Sequence, residues 1–249
     1  MMTKSLKTPL RYPGGKSRAL SKLFQFIPDL SRYTEYREPF LGGGSVALEI
    51  GKRYPHLKIW VNDLYDPLYN FWREIQDNGE QVQKELKDLK SIHCNQDSAR
   101  CLFQSMKEII NDEEKSNFDR AVAFYIVNKC SFSGLTESSS FSAQASDSNF
   151  SMRGIEKLTG YQELIVDWKI TNKSYEELFS DSKEVFVYLD PPYEIKSNLY
   201  GRKGSMHDAF SHDNFAAECD RYAGKQLISY NSSALIKERF KDWIASEFS

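Results

Sequence analysis

The sequence predicts an α/β fold in which helices cover both faces of a parallel sheet. The stretch "TEYREPFLGGGSVALEIGKRY" combines a short strand, a glycine-rich turn and a helix from Ser45 to about Tyr54. A second strand follows at "LKIWVND", and "LYDPLYNFWREIQD" places apolar residues at helical spacing. Strands that alternate with helices in this way are typical of parallel sheets.

The second half of the chain continues the same pattern after an interruption. Further strands are predicted at "VDWKITN", "EVFVYLD" and "QLISYN", and a last helix at "ALIKERFKDW". Between the two halves, residues 78–130 are polar and helical in pattern, and residues 131–154 form a serine-rich stretch that predicts a long loop. Long loops in compact domains tend to be functional. We therefore predict one domain from residues 1–77 and 160–249, with a subdomain inserted at 78–159.

Composition limits the class of protein. The chain has 249 residues, of which 40% are hydrophobic and 27% charged, as in ordinary globular proteins. No apolar run approaches the roughly 20 residues of a membrane helix, and no apolar stretch follows the basic N-terminus as in a secretory signal. These features predict a cytoplasmic protein without a membrane partner. The four cysteines form no C-x-x-C pair, so no metal site is predicted.

The charge distribution leaves two interpretations open. The net charge is −2, which does not by itself predict binding to nucleic acid. However, residues 1–28 contain lysines and arginines but no acidic residue, and Lys196, Arg202 and Lys203 form a second basic group. Such groups can contact phosphates, but they are also common on solvated surfaces.

The stretch "EPFLGGGSVA" predicts a cofactor loop. Gly42, Gly44 and Ala47 fit the pattern G-x-G-x-x-G/A between a strand and a helix, where glycines let a ligand approach the backbone. Asp63 ends the next strand about 20 residues further on, where a carboxylate can accept hydrogen bonds from ribose hydroxyls. The pattern favours an adenosine-containing cofactor over a plain structural turn. It does not distinguish NAD from S-adenosylmethionine.

The stretch "RYPGGKS" superficially resembles a phosphate-binding loop for nucleoside triphosphates. That motif requires a glycine at position 10, where this chain has Leu10, and it follows a strand instead of preceding the first one. We therefore exclude a nucleoside triphosphatase. In this stretch Tyr12 can stack on a ligand and Lys16 can reach a carboxylate, or the segment is simply an exposed turn.

The stretch "YLDPPYE" ends a buried strand with a rigid polar corner. Asp190 lies at the carboxyl end of that strand, where parallel sheets bind their ligands. Pro191 and Pro192 fix their φ angles, and the Pro191 carbonyl is then free to accept a hydrogen bond. Tyr193 adds a flat face. Two acceptors and a stacking surface suit an exocyclic amine on an aromatic base, although a capping aspartate in a rigid turn is the simpler alternative.

The four motifs together resemble a known family. "RYPGGK", "EPFLGGGS", "VND" and "LDPPY", in this order, are similar to those of the Dam-type DNA adenine-N6 methyltransferases, the D12 class or α-group. The resemblance covers nearly the whole chain. It implies a Rossmann-like class I methyltransferase sheet with an inserted helical and loop subdomain for target recognition. It also implies S-adenosyl-L-methionine as cofactor, double-stranded DNA as partner, and a monomer in solution.

The resemblance assigns expected contacts to individual residues. Tyr12, Lys16 and Asp63 match positions that contact S-adenosylmethionine. The cofactor loop corresponds to Glu38, Phe40, Gly42 and Gly44. Asp190 matches an aspartate that contacts both cofactor and target amine, and Pro191 and Pro192 belong to the same catalytic motif. Tyr193 matches the residue that stacks on the flipped adenine.

Three points stay open at this stage. The same motif occurs in enzymes that methylate cytosine N4 or RNA amines, so these are alternatives. The chain ends where the resemblance implies further strands, so a non-catalytic DNA- or cofactor-binding module is another. The target GATC is a guess, because Glu137 stands where the GATC enzymes carry a basic residue and cannot donate to guanine. A dehydrogenase would leave "DPPY" and "RYPGGK" without a function.

Overall fold

The computed structural model describes residues 7–12, 14–132, 134, 139–193 and 210–247. The strands in these ranges are β1 Glu35–Glu38, β2 Lys58–Asn62, β3 Lys169–Thr171, β4 Val185–Leu189 and β5 Lys225–Ile228. The helices are α1 Leu20–Leu23, α2 Ser45–Arg53, α3 Asp66–Ile92, α4 Gln96–Ile109, α5 Asn117–Cys130, α6 Ala143–Ser148, α7 Met152–Ile155, α8 Leu158–Ile165, α9 His212–Arg221 and α10 Ala234–Arg239. Short 3₁₀ turns lie at Lys16–Arg18, Leu30–Arg32 and Tyr175–Leu178.

The strands form one sheet in the order β3-β2-β1-β4-β5, and every neighbouring pair is parallel. The predicted α/β fold with a parallel sheet is thereby confirmed. The strand order reverses between β1 and β4. At such a reversal the connections leave the sheet in opposite directions, and the carboxyl ends of the two strands border an open crevice. β1 ends at Glu38 and β4 at Leu189, so the motifs "EPFLGGGS" and "DPPY" begin side by side.

Both faces of the sheet are covered, as the burial of β4 illustrates. All five of its residues are buried, and successive side chains point to opposite faces. Phe186 and Tyr188 belong to the larger core, which includes α3, α5 and α8. Val185 and Val187 belong to a smaller core that contains Phe215 of α9. A strand buried on both faces reads as a continuous apolar run, which is the pattern of "VFVYL".

The inserted region shares the larger core. α3 extends past residue 77, and its backbone leaves helical geometry only at Asn78, where φ is −133° and ψ is 27°. The helix packs against α5 and α8, and Trp72 and Val82, on either side of the break, belong to one hydrophobic cluster. The division into residues 1–77 with 160–249 and 78–159 stays a prediction. Its first boundary lies next to the break at Asn78.

The predicted loop at residues 131–154 is wrong in part. The structure places α6 and α7 within it, and each begins at a serine cap. Ser142 accepts a hydrogen bond from the amide of Ala145, and Ser151 from that of Gly154. Serines favour both loops and helix N-termini, so composition alone did not separate the two.

Other features of composition can be located in the structure. Cys94 and Cys101 are exposed and Cys130 and Cys219 are buried, all as free thiols. Within the described ranges no cluster of three or more potential metal-binding side chains occurs. None of the helices described is both long enough and apolar enough to cross a membrane.

Candidate active site

A cavity of about 430 Å³ opens at the carboxyl ends of β1, β2 and β4. Every site residue predicted from the sequence lines it. They come from four separate stretches of the chain: Tyr12, Lys16, Glu38, Phe40, Gly42, Gly44, Asp63, Asp190, Pro191, Pro192 and Tyr193. The structure thus brings the four motifs together at one site. The individual contacts predicted for these residues stay predictions.

The glycine loop between β1 and α2 has a backbone that requires glycine. Gly42 and Gly44 have φ angles of +51° and +70°, in the left-handed region that residues with a Cβ atom rarely adopt. A Cβ atom on Gly44 would also lie 2.8 Å from the indole ring of Trp72. That indole donates a hydrogen bond of 3.1 Å to the Gly42 carbonyl. The loop therefore presents bare backbone to the cavity at the N-terminus of α2.

Asp63 connects the end of β2 to this loop. Its carboxylate accepts a hydrogen bond of 2.8 Å from the Gly42 amide and one of 3.0 Å from the Tyr65 amide. Burial raises the pKa of Asp63 to about 6, against the effect of the two amide donors. A carboxylate has about four acceptor positions, so Asp63 retains capacity for ligand hydroxyls.

Lys16 reaches Asp190 from the N-terminal segment. Its Nζ lies 2.6 Å from Oδ1 and 2.5 Å from Oδ2 of Asp190, and it donates a third hydrogen bond of 2.8 Å to the Gly14 carbonyl. The two side chains are 11% and 20% exposed. Burial lowers the pKa of Lys16, but Asp190 and Tyr193 together outweigh that effect and the pKa is raised. The sequence predicted that Lys16 can reach a carboxylate, but it did not identify Asp190 as the partner.

Asp190 is held in the corner that follows β4. Burial raises its pKa, and the charge and hydrogen bonds of Lys16 oppose this rise. Tyr193 lies beside the pair, with its ring centroid 4.9 Å from the Lys16 ammonium. The ring also stacks on that of Tyr230, with the two centroids 6.1 Å apart. The Tyr193 hydroxyl is 3.4 Å from the Ser229 hydroxyl, so both the ring and the hydroxyl have partners.

Glu38 is a buried carboxyl beneath this corner. It is 2% exposed, and the Tyr36 hydroxyl donates a hydrogen bond of 2.6 Å to its Oε2. The pKa of Glu38 is raised to about 8, mainly by burial and also by the nearby charge of Asp190, although the Tyr36 hydrogen bond acts in the opposite direction. At neutral pH Glu38 is therefore largely protonated, so it adds no full second negative charge beside Asp190.

Several lining residues were not predicted from the sequence. Ser174, Tyr175 and Glu176 follow β3, and the rule that ligands bind at the carboxyl ends of strands would have found them. Tyr175 stacks on Phe40 at 5.4 Å, and Phe210 meets Phe40 edge-on at 5.9 Å. This aromatic wall joins residues far apart in sequence, so no local pattern reveals it.

Some sequence features lie outside the described residues. Glu137, on which the argument about the target depends, is one of them. Lys196, Arg202 and Lys203, the second basic group, are others. The roles predicted for Glu137 and for the second basic group therefore stay predictions.

Comparisons with known proteins bear on this site. The chain matches the family model for the D12 class N6 adenine-specific DNA methyltransferases over residues 12–249. It is 25% identical over 258 residues to the type II methyltransferase M1.LlaDCHI of Lactococcus lactis subsp. cremoris, which covers 96% of this chain and 86% of the relative. It is 24% identical to the type II methyltransferase M.MjaIII of Methanocaldococcus jannaschii over 203 residues, which cover 76% of this chain and 70% of the relative.

A phage protein matches as well. The DNA N-6-adenine-methyltransferase of Escherichia phage P1 is 22% identical over 255 residues, which covers 93% of this chain and 31% of that protein. The family model spans every predicted site residue that lines the cavity, from Tyr12 to Tyr193. The chain therefore belongs to the D12 class N6 adenine-specific DNA methyltransferase family.

Proposed function

We propose that the methyl donor of this DNA adenine methyltransferase is S-adenosyl-L-methionine and that the corner at Asp190 presents adenine N6 of double-stranded DNA to it. The observation that carries the proposal is the convergence of the glycine loop, Asp63 and Asp190 on one cavity at the reversal of strand order. The cavity then contains residues that can bind an adenosine-containing donor next to residues that can bind an exocyclic amine.

The cofactor half of the cavity fits an adenosine group in three respects. Gly42 and Gly44 line the cavity without a side chain that would block a ligand, and a Cβ atom there would also meet Tyr12 or Trp72. Asp63 would accept hydrogen bonds from ribose hydroxyls. Phe40 and its neighbour Tyr175 offer an aromatic surface for a purine ring. When bound, S-adenosyl-L-methionine supplies a methyl group that its sulfonium already activates.

The catalytic half would act on a weak nucleophile. The lone pair of adenine N6 is delocalised into the ring, so the amine must be polarised and oriented. Asp190 and the Pro191 carbonyl would accept hydrogen bonds from its two N–H groups and stabilise the positive charge that develops on nitrogen. The carboxylate can do this while bonded to Lys16, because four acceptor positions exceed the needs of both partners.

Tyr193 would hold the base in place. An adenine can reach Asp190 only after it leaves the duplex, which costs on the order of a few kcal/mol, and stacking on an aromatic ring offsets part of that cost. Pro191 and Pro192 restrict the backbone that carries both groups. A fixed corner lowers the entropy lost when the amine and the methyl group are aligned.

The remaining assignments concern the rest of the molecule. We assign target recognition to residues 78–159. Gly134 in their serine-rich stretch is joined through Asn128 to Arg11, which precedes the lining residue Tyr12. The protein would act as a cytoplasmic monomer. Its target sequence is left open, with GATC as the first sequence to test.

A labelled-methyl assay tests the proposal. The chain is incubated with methyl-labelled S-adenosyl-L-methionine and mixed-sequence duplex DNA, and the DNA is digested to nucleosides. We expect the label in N6-methyladenine. Label in N4-methylcytosine, or transfer to RNA but not to DNA, would contradict the proposed substrate, and cofactor binding without any transfer would indicate a non-catalytic module.

A further inference from the structure

We propose that Asn128 is a positioning residue that couples the cofactor cavity to the segment assigned to target recognition. The inference deepens the proposed function and rests on it. The connection runs through residues 7–12 and 14–16, which we name the N-terminal strap. Asn128 itself does not line the cavity, and its hydrogen bonds to Arg11 lead to the strap.

One side of the strap forms a wall of the cavity. Tyr12 packs on the glycine loop so closely that a Cβ atom on Gly42 would lie 3.0 Å from its ring. The Thr8 hydroxyl donates a short hydrogen bond to the Gly43 carbonyl. At the far end of the strap, Lys16 bonds both oxygens of Asp190. A ligand that contacts the glycine loop or Asp190 would therefore also restrict the position of the strap.

The other side of the strap is bound by Asn128, near the end of α5. Its Oδ1 accepts a hydrogen bond of 2.9 Å from the Arg11 amide, and its Nδ2 donates one of 2.7 Å to the Arg11 carbonyl. The same Nδ2 donates to the Gly134 carbonyl at 2.9 Å. Asn128 is 1% exposed, so water does not replace these bonds when they break. A single buried amide thus joins the strap to the segment that follows α5.

Two further contacts tie the same segments independently of Asn128. The Arg11 guanidinium donates a hydrogen bond of 2.6 Å to the Ser131 carbonyl. Gly134 has a φ angle of +77°, and a Cβ atom there would lie 2.5 Å from the Arg11 carbonyl oxygen. The two backbones are therefore in direct contact, with no room for a side chain between them. A shift of Ser131 or Gly134 would therefore displace Arg11.

These contacts make the strap a common element of both sites. Occupancy of the cavity constrains the strap at Tyr12 and Lys16, and DNA that contacts the chain at Ser131 or Gly134 would constrain it at Arg11. Each ligand would then lower the cost of ordering the strap for the other. Coupling of this kind is reciprocal, so its size can be measured from either ligand.

The test measures the affinity for S-adenosylhomocysteine, the demethylated product, which permits no turnover. Calorimetry gives its affinity with and without a duplex that contains the sequence at which the wild-type chain methylates DNA. We expect the duplex to raise the wild-type affinity about fivefold or more. In Asn128→Ala this factor should fall clearly below the wild-type value, because the contacts of Arg11 with Ser131 and Gly134 remain, while the affinity without DNA stays within about threefold of wild type.

Asn70→Ala is the matched control. Asn70 is also a buried asparagine, 4% exposed, and its Nδ2 donates a hydrogen bond of 2.8 Å to the Asn117 carbonyl, away from the strap. This variant should lose stability but keep the wild-type coupling factor. If Asn128→Ala does not fold, Gly134→Ala takes its place, since its Cβ atom pushes the same segments apart, and it should lower the factor as well.

The outcomes separate the two proposals. A wild-type factor near one, or an Asn128→Ala factor equal to that of wild type, overturns the coupling while methylation stands. A coupling factor that falls equally in Asn70→Ala also overturns it, because general destabilisation then explains the loss. A wild-type chain that transfers no methyl group to DNA refutes the proposed function and this inference with it.

Discussion

The Lys16 ammonium bonds both carboxylate oxygens of Asp190, at 2.6 and 2.5 Å. Lys16 belongs to the N-terminal segment and Asp190 to the corner after β4. The pair therefore joins two segments that are distant in the sequence and both line the cavity. A buried carboxylate without such a partner would hold its proton more tightly. The ion pair therefore opposes protonation of Asp190, as its proposed role as an acceptor for an amine requires.

Removal of the Lys16 charge should shift the pH dependence of catalysis. In Lys16→Met, Asp190 loses the charge and hydrogen bonds that most strongly oppose the effect of burial, so its pKa rises further and the acidic limb of the kcat/KM profile moves to higher pH. We expect the rate at pH 7 to fall about tenfold or more. Lys16→Arg keeps the charge and should retain the wild-type profile shape. A Lys16→Met profile that superimposes on wild type contradicts this account of the pair.

Cofactor affinity should depend on the protonation of Asp63. Its pKa is raised to about 6, and only the ionised form accepts from two ribose hydroxyls in addition to its amide donors. The wild-type affinity for S-adenosylhomocysteine should therefore weaken as the pH falls from 7 to 5. Asp63→Asn should bind about tenfold more weakly at pH 7 and show a flatter pH dependence. Calorimetry at pH 5, 6 and 7 measures both, and parallel curves for the two proteins would argue against a charged Asp63 contact.

Glu38 should make the protein less stable as the pH rises. Its pKa is about 8 in the folded protein and about 4.5 when unfolded, so between these values the folded state binds more protons than the unfolded state. This contribution is fully present below about pH 4.5 and is lost as the pH rises to about 8. Glu38→Gln keeps a neutral side chain throughout. Its free energy of unfolding relative to wild type should rise by on the order of a few kcal/mol from pH 5 to pH 8.

Urea unfolding of both proteins at pH 5, 6.5 and 8 provides the measurement. Other titrating groups contribute equally to wild type and variant, so only the difference between the two curves is used. A constant difference across this range would show that Glu38 is already ionised at pH 5 in the folded protein.

The glycine loop should not tolerate a side chain at Gly44. Its φ angle of +70° and the nearby Trp72 ring both oppose a Cβ atom, so Gly44→Ala should lower the free energy of unfolding by about 1–3 kcal/mol. Trp72→Phe removes the ring atoms that the new Cβ atom would meet. In that background Gly44→Ala should cost less, and a double-mutant cycle gives the difference. Equal costs in both backgrounds would place the strain in the backbone alone.

Local patterns in the sequence predict the parallel sheet and the two motifs at its reversal. The glycine loop and the corner at Asp190 each lie within a few residues of a strand end, where residue type and position define their geometry. The Lys16–Asp190 pair and the aromatic contact of Phe40 with Phe210 depend on tertiary packing between distant segments. Serine composition also failed to separate helix caps from loop at Ser142.

The central claim is that Asp190 presents adenine N6 for methylation, and one substitution tests it most directly. Transfer from methyl-labelled S-adenosyl-L-methionine to DNA is compared between wild type and Asp190→Ala, with folding of the variant checked by its unfolding transition. We expect a folded variant whose yield of N6-methyladenine falls about 10³-fold or more. A folded Asp190→Ala protein that still forms N6-methyladenine at the wild-type rate would contradict the mechanism.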